Sequence, residues 1–352
     1  MNAPFALARE NVRAVDLRQP DEAARIEGFV ADMAGSLFHR PAWLLAAERG
    51  TAQRARGLLT EKGGIITGWL PLSEVHSPIF GRMLASSGFA VGGGVLAESE
   101  VTARVLCRAA EELAARLSCP TIELRGGQVP EDWTVRTKSH CGFAADLAAD
   151  DGAQLLAIAR RQRAEVRKGL EQDLEIRVGT CAEDLAAHYA MYAESVRNHG
   201  TPVFPRNLFR EMLAGLDGDI LTVLCQGKPV SSVLTFYHAG AAMPYWGGGQ
   251  QIARRLRANE RLYYELMLHA RRRGCTRFDF GRSKTGSGAW AFKKNWGFEP
   301  EPLSYASWTA PGAERRDADP TSAKHAARIA LWRRLPLALT NRLGPPIARG
   351  LG

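Results

Sequence analysis

One run of elements occurs twice in this chain, and that repetition restricts its fold more than any other feature of the sequence. In the first half, ARGLLTEKGGIITGWLPL reads as a β-hairpin turning at Lys62, Gly63 and Gly64. SPIFGRMLASSGFAVGGG reads as a loop and strand ending in Gly92, Gly93 and Gly94. Positions 101–117 then carry helical apolar spacing through Val105, Leu106, Ala109, Leu113 and Leu117, and TIELRGG is a strand. In the second half GDILTVLCQGKPVSSVLTFYH is again a hairpin, turning at Gly227 and Lys228, and AAMPYWGGG again a strand ending in Gly247, Gly248 and Gly249. Positions 257–273 are again a helix and TRFDFGR a strand. The glycine triplets lie 155 residues apart (247 against 92), as do the threonines that open the last strands (276 against 121). Identity between the halves is low, but four elements in one order at a nearly constant offset predict two copies of one α/β domain. Hairpin, strand, crossover helix and strand give each copy a mixed sheet flanked by helices. The expected division is 1–150, 151–310 and a basic tail, 311–352.

With 352 residues, 45% of them hydrophobic, each copy can bury a proper core. The net charge of +9 favours an anionic partner: a nucleic acid, a nucleotide-linked substrate or an acidic membrane face. Cysteines at 107, 119, 141, 181, 225 and 275 form no C-x-x-C pair and keep no histidine-rich spacing, so neither a metal site nor a disulfide framework is expected. Reduced cysteines suit a cytoplasmic protein. The start of the chain is interrupted by Arg9, Glu10 and Arg13 and does not read as a secretory signal. No apolar run approaches the roughly 18 residues that a membrane span needs.

Outside the repeat, Pro20 and Pro41 each mark a helix start. His39 and Trp43 stand at i and i+4 around the second of these, and such a histidine is more often packed or capping than a ligand. Between the copies, Arg160, Arg161, Arg163, Arg167 and Lys168 make a very basic helix, read either as a solvated face or as an anion-binding one. Arg197, Asn198 and His199 before Gly200 have the chemistry of a helix C-terminus. From position 321 onward there are six Lys or Arg and no Asp or Glu, interleaved with Ile329, Leu331, Trp332, Leu335, Leu337 and Leu339. That tail suits either an anionic lipid surface or a basic helix packed on the domain, with Pro336, Pro345 and Pro346 interrupting any long amphipathic helix.

Chemistry is expected at 275–298, where a short strand through Phe278, Asp279 and Phe280 empties into an irregular glycine-rich loop, Gly281 to Gly288, and then a short helix. Arg282, Ser283, Lys284, Lys293 and Lys294 gather at that strand end. Tyr245 and Trp246 end the preceding strand; two aromatics on alternating faces commonly include one core residue.

These stretches resemble a known family. The duplicated order is similar to the tandem N-acetyltransferase-like (GNAT, acyl-CoA N-acyltransferase-like) domains of the FemAB family, and RRQRAEVRKGLEQDLEIRV resembles its basic helix and strand. RNHGTPVFPRNLF, FDFGRSKTGSGAWAFKKNWGFEPEPL and GPPIARGLG resemble the FemAB-related branch associated with PEP-CTERM and exopolysaccharide loci. FemAB members join amino acids from aminoacyl-tRNA to peptidoglycan precursors, so the resemblance implies an acyl or aminoacyl transferase acting on a cell-envelope or exopolysaccharide precursor. Phe292 and Lys293 match the family's Phe-Lys pair near the donor ester, which makes Lys293 the candidate for oxyanion or donor-phosphate contact. Asp279 is read either as a proton acceptor or as an anchor for Arg282. RRLRANERL, where acetyl-CoA enzymes carry R/Q-x-x-G-x-G/A, has no glycine; this argues against acetyl-CoA and leaves aminoacyl-tRNA or a longer acyl carrier as donor. The acceptor is expected between the two domains, lined by His39, Trp43, Arg197 and Arg206. Two non-transferase readings stand beside this one: a nucleic-acid-binding protein using the 160–168 helix, and a membrane-peripheral scaffold using the tail.

Overall fold

A computed structural model describes residues 10–314 and 326–351. In chain order the first part holds β1 (Asn11–Ala14), α1 (Pro20–Asp32), α2 (Pro41–Thr51), β2 (Arg54–Lys62), β3 (Ile65–Ser77), β4 (Gly81–Ser86), β5 (Leu96–Ala97), α3 (Glu100–Arg116), β6 (Thr121–Arg125) and β7 (Thr134–Arg136). There follow β8 (His140–Gly142), β9 (Ala144–Asp146), α4 (Asp151–Ala157), α5 (Arg160–Leu170), β10 (Glu175–Gly179), α6 (Ala182–His199), α7 (Arg206–Gly215), β11 (Gly218–Cys225), β12 (Lys228–His238) and β13 (Ala241–Gly249). The chain continues through α8 (Gln251–Arg255), α9 (Ala258–Arg272), β14 (Arg277–Asp279), β15 (Ser283–Lys284), α10 (Gly288–Asn295), β16 (Glu301–Pro302) and β17 (Tyr305–Thr309) to α11 (Ala326–Arg334) and α12 (Leu337–Ala348).

Two compact units result. One holds the chain up to Arg136 with β17 and Arg349; the other holds Thr137–Leu303 with α11 and α12. The division therefore falls at 136/137 and 303/304, not at the 150 and 310 expected from the sequence. The large sheet of the first unit runs β1-β2-β3-β4-β6-β17-β7, and that of the second runs β10-β11-β12-β13-β14-β9. The repeat is explicit in these orders: four antiparallel strands, then a parallel partner reached by a crossover helix, β4 to β6 through α3 and β13 to β14 through α9. Each sheet is then closed by a strand from the other half of the sequence. β17, which follows β14, pairs with β6; β9, which follows β6, pairs with β14.

Local sequence explains the hairpins. Gly63 and Gly64 both take positive φ (60° and 83°), the two-residue turn whose twist matches antiparallel strands. Gln226 and Gly227 repeat it at 52° and 72°, so that turn sits one residue earlier than 227–228. Alternation sorts the cores. Leu58, Leu70, Leu72 and Leu84 pack under α3, while Leu59 and Trp69 pack under α1 and α2 with Ile26, Phe29 and Leu44. In the second unit Val233, Leu262, Leu266, Phe278 and Trp296 form the core beneath α9. The glycine triplets differ: Gly247, Gly248 and Gly249 end β13 as expected, but β4 stops at Ser86 and Gly92, Gly93 and Gly94 lie in the loop before β5.

The tail is folded onto the second unit from residue 326. Ile329 lies against Gly200, where a Cβ would come within 2.4 Å of it, and Gly344 lies against Val203 at 2.9 Å by the same measure. Arg333 Nη2 donates to the His199 carbonyl (3.2 Å) and Arg197 Nη1 donates to the Arg333 carbonyl (3.3 Å). Pro345 and Pro346 lie within α12, while Leu331, Leu339 and Leu343 face outward.

Candidate active site

β13 and β14 share only two register positions, Ala241 with Arg277 and Ala242 with Phe278, although β13 runs on to Gly249. β9 pairs all along the other side of β14, from Arg277 to Asp279. The parallel strands therefore part midway. Beyond the parting, Tyr263 of α9, Phe280, and Phe292 and Trp296 at α10 form a cluster with ring centroids 4.7–6.2 Å apart. Burial pushes the Tyr263 phenol up to about 12.

Lys293 reaches into this region from α10, whose first turn is capped by Ser287 accepting from the Trp290 N–H (3.2 Å). Its side chain is 9% exposed. Nζ donates to the carbonyls of Gly281 (3.0 Å) and Arg282 (2.9 Å) and lies 5.5 and 5.6 Å from the ring centres of Phe143 and Phe280. An ammonium has three donors; two are engaged by these carbonyls, which leaves one for a ligand. Burial lowers the Lys293 pKa to about 8, with Asp279 opposing and Arg282 reinforcing the change. Asp279 ends β14; its Oδ1 accepts the Gly281 N–H at 2.9 Å. Burial holds its pKa above the ordinary carboxylate range against that hydrogen bond and the charges of Lys293 and Arg277, with Glu301 adding to the rise.

The Lys293 shift makes a stability prediction. An unfolded lysine binds its proton up to about 10.4, so between roughly pH 8 and 10.4 the unfolded chain holds more protons than the folded one and stability rises with pH. The charge-burial cost is fully present below pH 8 and relieved above that window. Wild type should gain roughly 3 kcal/mol relative to Lys293→Met between pH 8 and 10.4. Denaturant titrations of both proteins at the two ends check this; a constant difference rules it out.

The loop expected at 281–288 is partly regular. Ser283 and Lys284 form β15 and pair with Cys141 and His140 of β8. Ser283 is buried with no hydrogen-bond partner for Oγ, Lys284 is exposed and Arg282 half-buried. Tyr245 is the extra residue of a β-bulge, since Leu234 pairs with Trp246 and Thr235 with Pro244; a bulge re-aims a side chain, and Tyr245 stays half-buried. Trp246 is the core member of the pair, 4.9 Å from the Phe209 ring.

Arg197 lines a cavity of about 590 Å³ at the C-terminal end of β13, with His199, Gly249, Gln250, Arg254 and Arg333. Arg206, at the exposed start of α7, is not among its lining residues. Arg254 and Arg333 have no motif to mark them; they meet Arg197 only because α8 follows β13 and α11 packs on α6. The corresponding place in the first unit, between β5 and α3, is lined by Glu98 and Glu100 and by no Lys or Arg. Among the described residues, the cavity of the second unit is lined by arginines and its counterpart in the first unit is not.

In the first unit His39 caps: its Nδ1 accepts the Ser36 N–H (3.0 Å), and its carbonyl accepts from Trp69 Nε1 (2.8 Å). Trp43 is wholly buried and donates from Nε1 to the Gly88 carbonyl (3.0 Å), so this indole is a core element and not the lining residue expected from the sequence. Among the described residues no His, Cys, Asp and Glu cluster can hold a metal, and no helix is long and apolar enough to cross a membrane.

Residues 157–294 match the family model described as an acetyltransferase (GNAT) domain. Similar solved structures include FemX (TM-score 0.63, 14% identity, covering 84% of this chain and 96% of that one). Others are a tandem GNAT protein from the clavulanic acid biosynthesis pathway (0.58, 12%, covering 87% and 100%) and L-PGS from Bacillus licheniformis (0.54, 12%, covering 94% and 97%). No curated protein sequence matches the chain. The fold is a tandem GNAT fold, and the acetyltransferase family model over 157–294 places the chain among acyl-transferring enzymes.

Proposed function

We propose that the second unit transfers an acyl or aminoacyl group to an amine or hydroxyl of a cell-envelope or exopolysaccharide precursor, as a FemAB-related enzyme of the PEP-CTERM-associated branch. The observation that carries this reading is the buried Lys293 ammonium, fixed on the Gly281 and Arg282 carbonyls where β13 and β14 part. In such a transfer the acceptor's lone pair attacks the donor carbonyl and its π electrons move onto oxygen. The remaining N–H of Lys293 stabilises that oxyanion; collapse then breaks the bond to the leaving oxygen or sulfur, which takes up the acceptor's proton. Asp279, with its raised pKa, is the candidate to carry the proton. Phe292, Tyr245 and Tyr263 would border the acyl group. Arg282, Ser283 and Lys284 would border the acceptor, and Arg197 with Arg254 would hold an anionic donor, aminoacyl-tRNA or an acyl carrier, at the cavity beyond β13. Arg206 and His39 remain candidates for acceptor contact. The exposed Arg160, Arg161, Arg167 and Lys168 of α5 offer such a donor a basic approach surface. Incubating the protein with acyl-CoAs, acyl carrier proteins and charged tRNAs, with mass spectrometry of envelope and polysaccharide precursors, tests the reading; no transfer from any of these donors would sink it.

Peripheral contact with anionic lipid through α11 and α12 is part of the proposal, carried by the outward Leu331, Leu339 and Leu343. Because the same helices cover α6, a chain ending at Pro320 should lose both vesicle co-sedimentation and several degrees of melting temperature. Unchanged co-sedimentation of a folded truncated chain removes the lipid contact.

A further inference from the structure

A second cavity lies wholly within the first unit. It measures about 600 Å³, within the range of small-ligand sites. It is lined by Arg54, Arg56, Arg82, Arg116 and Arg349 with His76, and Glu74 is its one acidic lining residue. The pairing register explains the concentration of charge. Arg54 lies opposite Glu74 and His76 opposite Arg82, and Arg54, Arg56, Glu74, His76 and Arg82 share the sheet face that carries Leu58, Leu70 and Leu72 under α3. That face continues past the last turn of α3, where Arg116, Leu117 and Ser118 form a wall in place of an apolar cover.

The internal pairing leaves positive charge over. Buried Glu74 accepts from Arg56 (2.8 Å) and lies 2.7 Å from His76 Nε2 and 3.6 Å from Arg82. Burial alone would raise its pKa, but the bonds from Arg56 and His76 prevail and hold it below the usual carboxylate range. Arg116 pairs with Glu112. Among the described residues, Arg54 and Arg349 have no carboxylate within ion-pair reach, and Arg82 Nε is buried without an acceptor. The cavity sits where β4 begins and α3 ends. It is thus at the opposite pole of the sheet from the acidic place between β5 and α3.

We infer that this cavity is an anion site for a small molecule bearing a diphosphate group, gripped by Arg54, Arg82 and Arg349, with Glu74 as the one lining charge that opposes it. Guanidinium forks match phosphate oxygens two at a time, and the two unpaired forks of Arg54 and Arg349, with the Arg82 Nε that has no acceptor, suit two linked phosphates on one concave wall better than a single carboxylate. The helix C-termini nearby favour the cations that are present and only modestly oppose a ligand held by them. The inference does not depend on the transferase reading, since no residue of the second unit takes part.

Calorimetric titration of the full chain with inorganic pyrophosphate tests it. Saturable binding is expected, weakened roughly tenfold or more in Arg54→Gln/Arg349→Gln, whose side chains are exposed and whose loss leaves no buried charge unpaired. Glu74→Gln, which removes the one negative lining charge, should tighten binding. Arg104→Gln/Arg272→Gln, two exposed arginines that do not line the cavity, should leave it unchanged. Absence of saturation up to about 10 mM, or equal loss in that control variant, overturns the site. UDP binding more tightly than pyrophosphate would assign a soluble nucleotide source; retention on vesicles carrying a polyprenyl diphosphate, lost in the Arg54/Arg349 variant, would assign a lipid one.

Discussion

Lys293→Met should lower kcat for donor-dependent transfer by about 100- to 1,000-fold, the usual effect of removing one oxyanion donor, while KM for the donor changes far less. Wild-type activity should fall as pH rises through about 8, because only the ammonium form carries the charge that the oxyanion needs. Lys293→Arg separates charge from geometry. A guanidinium stays protonated through this range, so any residual activity should show no decline near pH 8. Because Lys293 also ties the Gly281 and Arg282 carbonyls to α10, each variant's melting temperature must be read alongside its rate. A folded Lys293→Met protein with full kcat and an unchanged alkaline limb would remove Lys293 from the chemistry.

The residues that made this site legible in the sequence are those with local signals. Phe278 to Phe280 alternate as a strand must, the glycines from Gly281 to Gly288 mark the loop before the short helix, and the Phe292-Lys293 pair carries the family resemblance. The repeat was legible for a similar reason, since turns such as Gly63-Gly64 and the apolar period of α3 and α9 are written within a few residues. What stayed hidden depends on distant partners. β9 is only Ala144–Asp146, and nothing in three residues says that they pair with Phe278 and not with β6. The same holds for β17, which returns to β6 across about half of the sequence and moves the unit boundary with it. Trp43 is buried because Gly88 offers a carbonyl and Phe38 an edge-on ring 4.9 Å away, contacts that helix periodicity cannot show. Arg333 joins Arg197 through the packing of α11 on α6, so the basic cavity beyond β13 had no motif to announce it.

The glycine triplet that marks the repeat also yields a sharp stability difference between neighbours. At Gly248 an added Cβ would stand 2.6 Å from the Met191 carbonyl oxygen and 2.7 Å from both the Met191 carbonyl carbon and the Tyr192 Cα. These are backbone atoms of α6, and they cannot rotate away. At Gly247 the nearest neighbours would be the Tyr263 hydroxyl at 3.3 Å and Val233 Cγ2 at 3.5 Å, both side-chain atoms that can shift slightly. Neither glycine takes a positive φ, so the difference is one of space alone. Gly248→Ala must lift α6 from β13 and loosen the packing of His188, Met191 and Tyr192, at about 3 kcal/mol, the upper part of the range for overpacking. For a unit of this size that corresponds to a fall of roughly 10 °C in melting temperature. Gly247→Ala should stay within about 1 kcal/mol of wild type. Calorimetric melting of the three proteins decides between this and a ligand-cradling role for the triplet. If both substitutions leave the melting temperature alone but weaken donor binding, the glycines serve the donor; if only Gly248→Ala melts early, they are the groove that seats α6 and with it Arg197 at the mouth of the cavity.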